Sequence, residues 1–155
     1  WTKIYNGAGN STDFGSSIAT DPAGNIVVAG AETITNQGLN GWVRKLDTLG
    51  NTIWTQSFDG ALHLDDVARG VAIDASGNIL VGGTTTVAGA TTDAWVRRYS
   101  SAGATVWTSF FNGIAGGNDG CRSVTFDSNS EIYVAGFEQV GGGEGQDGWL
   151  RRYAP

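Results

Sequence analysis

The chain has 155 residues with 25 glycines, six tryptophans, one cysteine and no methionine, and its formal net charge is −6. An aromatic share of 10% argues against disorder, because disordered chains are poor in large apolar side chains. The acidic balance argues against nucleic acid or an anionic membrane as partner, and no apolar run approaches the roughly 20 residues needed to span a bilayer.

The chain opens at Trp1 with neither a starting Met nor a signal peptide, as a mature or excised product would. Its opening segment Trp1-Thr2-Lys3-Ile4-Tyr5-Asn6-Gly7 returns as Trp54-Thr55-Gln56-Ser57-Phe58-Asp59-Gly60. It returns again as Trp107-Thr108-Ser109-Phe110-Phe111-Asn112-Gly113, a step of 53 residues each time (1 to 54 to 107). Self-similarity at a fixed period marks a repeat architecture. Asp13, Asp66 and Asp119 keep the step, as do Asp21, Asp74 and Asp127. Trp42, Trp95 and Trp149 follow at 53 and 54, which places one inserted residue in the glycine-rich loop of the third copy. The repeats are 1–53, 54–106 and 107–155, read as one domain over 1–155.

In chain order, Trp1 to Tyr5 carries the pattern of a unit's fourth strand. Asn10-Ser11-Thr12 is an N-glycosylation sequon, relevant only on a eukaryotic secretory route. A turn starts at Asp21, and a loop from Glu32 to Leu39 leads towards Trp42. The second copy reads most plainly: strands over Arg69 to Asp74, Ile79 to Thr84, Trp95 to Tyr99 and Thr105 to Phe111. They are separated by the turn 75–78, a loop from Thr85 to Thr92 and the turn 101–103. The third copy has its loop from Glu138 to Gln146, and the chain stops at Pro155 just after a third strand ending near Tyr153. No segment spaces apolar residues helically between caps, so the class is all-β.

The run Asp74-Ala75-Ser76-Gly77-Asn78-Ile79-Leu80-Val81-Gly82-Gly83, followed by Asp93-Ala94-Trp95-Val96-Arg97-Arg98-Tyr99, resembles the bacterial "seven-bladed beta-propeller" repeat family. Asp21 to Gly30 and Asp127 to Gly136 match it too, the last with Ser130-Glu131 in place of Gly-Asn. The resemblance covers nearly the whole chain. It implies a β-propeller of three four-stranded blades, secreted or at the cell surface, and is almost silent on activity. A β-trefoil or a β-prism is the alternative, although the Gln-x-Trp signature of trefoil lectins is missing. Propellers have roughly four to eight blades, so three need completion. In a two-fold homodimer, Trp1 to Tyr5 of each subunit would complete the partner's third blade, giving six blades. Otherwise the missing blades belong to a longer parent chain.

The candidate ligand-binding rim comprises Asp13, Asp66 and Asp119 before the innermost strands, with Ser16, Arg69 and Arg122 beside them and Asn40, Asp93 and Asp147 before the third strands. The alternative for the first three aspartates is that each accepts backbone N–H bonds and fixes a turn. Arg44, Arg97 and Arg151, followed by Lys45, Arg98 and Arg152, are expected in ion pairs with neighbouring acids such as Asp93 and Asp147. The regularly placed tryptophans are expected to pack between blades. No catalytic residue, cofactor or metal is expected. His63 is the single histidine, Cys121 reads as a small buried apolar side chain, and no nucleophile elbow is present. Gly141, Gly142, Gly143 and Gly145 do not lie between a strand and a helix, so they form no phosphate cradle. The function expected is a non-catalytic binding or assembly module recognising a protein or glycan through one loop face. A multivalent lectin with one sugar site per blade and a carboxylate-dependent hydrolase are the alternatives.

Overall fold

The computed structural model describes residues 1–89, 91–141 and 145–154. Three antiparallel sheets follow one another along the chain. The first holds β1 (Phe14–Thr20), β2 (Ile26–Ile34), β3 (Gly38–Leu46) and β4 (Thr52–Phe58). The second holds β5 (Asp66–Ile73), β6 (Ile79–Val87), β7 (Thr91–Tyr99) and β8 (Thr105–Phe111). The third holds β9 (Gly120–Phe126), β10 (Ile132–Val140) and β11 (Gly145–Tyr153). It has three strands, as expected of a copy whose third strand ends near Tyr153, and Trp1 to Tyr5, read as a strand, joins no ladder among the described residues.

Turn chemistry sets the hairpins. The Asp21 carboxylate accepts the N–H groups of Ala23 and Asn25, and Gly24 takes a φ of +83°. Asp74 and Gly77 repeat this device. Asp127 keeps it although Ser130 stands where the others have Gly, at a φ of +63°.

The three long loops expected on the rim are mostly strand. The β2–β3 ladder runs from Ile26↔Leu46 to Ile34↔Gly38, and β6–β7 and β10–β11 extend likewise to Val87↔Thr91 and Val140↔Gly145. Runs such as Thr84-Thr85-Thr86-Val87 are β-branched and suit a pleated surface, so they carry the hairpin outwards to tight tips. Of the third tip's glycines, Gly142 and Gly143 lie outside the described residues.

Each innermost strand also carries a β-bulge. The register skips Ser16 in β1, Arg69 in β5 and Arg122 in β9. Opposite stand Gly30, Gly83 and Gly136, where a Cβ would lie 1.9, 1.9 and 2.1 Å from a carbonyl oxygen of the inner strand. Only glycine admits that approach.

The sheets pack in series, first on second and second on third. Val27, Ala29 and Val43 of the first sheet lie against Ala68, Val71, Ile79, Val81, Trp95 and Tyr99. The other face of the second sheet, with Leu80, Ala94 and Val96, packs on Cys121, Val124, Ile132 and Val134. Two separate cores between successive sheets are the packing of propeller blades. A prism or trefoil would gather all three units around one shared core.

Candidate functional site

The rim aspartates face inwards. Asp13 accepts the N–H of Gly7 at 2.7 Å and of Thr33 at 2.9 Å. Asp66 accepts Gly60 and Thr86 at 2.5 and 3.3 Å, and Asp119 accepts Gly113 and Gln139 at 2.6 and 3.0 Å. Each carboxylate thereby ties the preceding unit's trailing segment to the second strand of its own sheet. Asp66 and Asp119 are fully buried, and Asp13 is half-buried. Burial raises the Asp66 pKa above the ordinary carboxylate range, against the pull of its hydrogen bonds from Thr85 and from the Gly60 and Thr86 N–H groups.

The residues before the third strands differ from one another. Asn40 is buried and donates to Gln37, Asp147 is exposed, and the Oδ1 of Asp93 is shielded with no hydrogen-bond partner among the described residues. Burial, and then the charge of Asp119, raises the Asp93 pKa. Asp93 lines a cleft of about 470 Å³ together with Phe58, Asp59, Leu62, Arg97 and Phe110. Next to it, the exposed His63 contacts the Asp59 carboxylate at 2.6 Å.

Among the described residues, the first arginine of each third strand does not enter the expected ion pair. Arg44 lies over the Tyr5 ring at 3.8 Å, Arg97 over Phe58 at 4.8 Å and Arg151 over Phe111 at 3.5 Å. The same rings contact Trp42, Trp95 and Trp149, with centroids 5.3, 4.2 and 5.4 Å apart. An aromatic ring from the preceding unit is thus held between a tryptophan and an arginine two residues apart on one strand face. The second basic residue does pair, but with the turn acids: Lys45 with Asp21 at 2.9 Å, Arg98 with Asp74 at 3.6 Å and Arg152 with Glu131 at 2.9 Å. Asp21 is buried, which alone would raise its pKa, but hydrogen bonds from Lys45 and Asn25 outweigh this and lower it to about 2.

The other tryptophan of each repeat reaches the next sheet's outer edge. Trp1 and Trp54 donate from Nε1 to the carbonyls of Thr48 and Ser101, and Trp107 stacks on Tyr153. Two further ties had no signal in spacing alone. Asp65 and Asn118, each preceding a rim aspartate, accept the N–H of Leu39 and Thr92 on the neighbouring sheet. Glu32 receives the hydroxyls of Tyr5 and Ser57. Ser16, Arg69 and Arg122 occupy the bulges on the innermost strands. Cys121 is fully buried, and burial pushes its thiol up to about 12. Among the described residues no three His, Cys, Asp or Glu side chains converge as metal ligands.

Residues 1–30 match the SBBP family model, a beta-propeller repeat. That stretch covers the trailing segment, the first inner strand and the turn at Asp21, and its pattern returns in the second and third copies. No curated protein matches the chain.

Proposed function

We propose that the chain, which matches a beta-propeller repeat over residues 1–30, is a non-catalytic, secreted or surface-borne assembly module. Its ring is closed by a second copy, as a two-fold dimer of two times three blades. The observation that carries this is a contrast between equivalent positions. Val71 and Val124 are 8% and 7% exposed between sheets, whereas their first-copy equivalent Ile18 is 67% exposed. Val43 and Val96 are 1% and 2% exposed, whereas their third-copy equivalent Leu150 is 72% exposed. The outer faces of the first and third sheets therefore carry the two halves of the seam that joins sheets within the chain, and each half fits the other. By the pairings Gly41↔Phe58 and Ala94↔Phe111, Tyr5 of the partner would lie opposite Gly148, extending the third sheet.

Light scattering on the eluted protein tests this. Twice the chain mass is expected for the native protein, and the single mass for Ile18→Glu and for Leu150→Glu. A native protein that stays at the single mass at every concentration measured refutes it.

A second reading, a lectin, is favoured by the cleft beside Asp93. It brings the exposed Phe110 ring into one cleft with Asp93, whose Oδ1 has no donor among the described residues, a pairing suited to a pyranose face and its hydroxyls. A glycan array on the native protein and on Phe110→Ala separates the readings, since no hit on the native protein removes the lectin.

A further inference from the structure

The bulges place one extra residue at the same point of each innermost strand, and in two sheets that residue is an arginine. Inner strands of neighbouring sheets touch there: a Cβ on Gly70 would lie 3.1 Å from the Ser123 Cα and 3.3 Å from the Arg122 carbonyl oxygen. Arg69 and Arg122 are thus neighbours across the seam of β5 and β9. Neither forms an ion pair among the described residues. The Arg69 Nε is shielded from solvent and has no hydrogen-bond partner among the described residues, and the Arg122 guanidinium rests over Phe137 at 4.7 Å. Burial, and then the like charge of Arg122, lowers the Arg69 pKa. Two arginines on adjoining bulges, neither with an ion-pair partner among the described residues, form a local exception to the acidic character of a chain of net charge −6. A bulge re-aims a side chain, a use common beside binding sites. Planar N–H forks suit oxygens spread over one small anion.

We propose that Arg69 and Arg122 form an oxyanion site at the innermost strands, taking a phosphate or sulfate group either as a free ion or carried on a larger molecule. The site lies on the inner strands, away from the outer sheet faces, and stands or falls independently of ring closure.

The test follows thermal unfolding during titration with sodium phosphate, with chloride as the control at matched ionic strength. Phosphate is expected to raise the unfolding temperature saturably and chloride not to. Serine occupies the same bulge in the first sheet, so Arg69→Ser and Arg122→Ser should fold. Each should weaken phosphate binding at least about tenfold, by loss of one charge-assisted fork, while Arg122→Lys keeps part of it. Glycerol phosphate identifies the source: an ester that binds as well as the ion shows that a carried group is accepted, and binding of the ion alone restricts the site to free anion. No saturable effect in the native protein, or an equal effect in the double serine variant, overturns the site.

Discussion

Replacing Asp66 with alanine isolates what the inner aspartates do. Its carboxylate accepts two backbone N–H groups in a fully buried position. The two donors are not equally dependent on it. Thr86 N also reaches the Asp65 carbonyl at 3.2 Å, so it keeps a partner, whereas Gly60 N is left with none. One orphaned buried N–H costs about 1–3 kcal/mol, and the lost bond to a charged acceptor adds to that. Removing a carboxylate that burial already disfavours gives some of this back. The net expectation is a loss of about 2–3 kcal/mol by urea unfolding with an unchanged slope. Asp66→Asn keeps one acceptor oxygen and should lose about 1 kcal/mol. Asp13 makes the same two contacts but is half-buried, so water can replace it and Asp13→Ala should cost about 1 kcal/mol or less. The order Asp66 above Asp13 is the sharp outcome. Equal losses, or a larger loss at Asp13, would refute the assignment of these residues as buried backbone ties.

Three further expectations follow from the packing and the charges. A Cβ on Gly82 would lie 2.3 Å from the Cys121 Sγ, so Gly82→Ala should destabilise by about 1–3 kcal/mol, with partial rescue on adding Cys121→Ala, read as coupling in a double-mutant cycle. The Cys121 thiol, buried and shifted to about 12, should resist a thiol reagent at pH 8 in the native state and react at once in urea; fast native labelling would contradict its burial. Two of the buried aspartates should bend the pH profile oppositely. Asp21, lowered from 3.8 to about 2, stabilises above pH 4 and loses this as pH falls towards 2, by about 1–2 kcal/mol after allowance for solvent screening, so Asp21→Asn should flatten the acid limb. Asp66, raised from 3.8, favours the fold most below that value and loses this as pH rises through its folded pKa, so Asp66→Asn should flatten that higher limb.

The step from Trp1 to Trp54 to Trp107, the turn aspartates and the strand Thr105–Phe111 were legible because each is a local pattern of residue type and spacing. Burial of Trp95 between the first and second sheets was legible for the same reason. The rim hairpins were not. Gly38, Gly89 and Gly145 look like members of long loops, yet Gly38 and Gly145 open strands and the β-branched residues before Gly38 and Gly89 continue the ladder. Arg44, Arg97 and Arg151 were placed in ion pairs because charge was the visible property. Their two-residue offset from Trp42, Trp95 and Trp149 is the signal that puts both on one strand face, where an incoming ring decides the contact. The bulges at Ser16, Arg69 and Arg122 leave only Gly30, Gly83 and Gly136 as a trace, and those glycines fit an ordinary strand end equally well.

Each ring held between tryptophan and arginine comes from the unit before, so a sheet owns only two thirds of its own clasp. Tyr5 supplies the first sheet's ring, so the three sheets already hold three clasps, and what the open row lacks is a fourth strand on its third sheet. Shutting the circle would therefore add a strand pairing and cover Ile18 and Leu150 without adding a residue, and cooperativity should jump at closure rather than grow evenly with length.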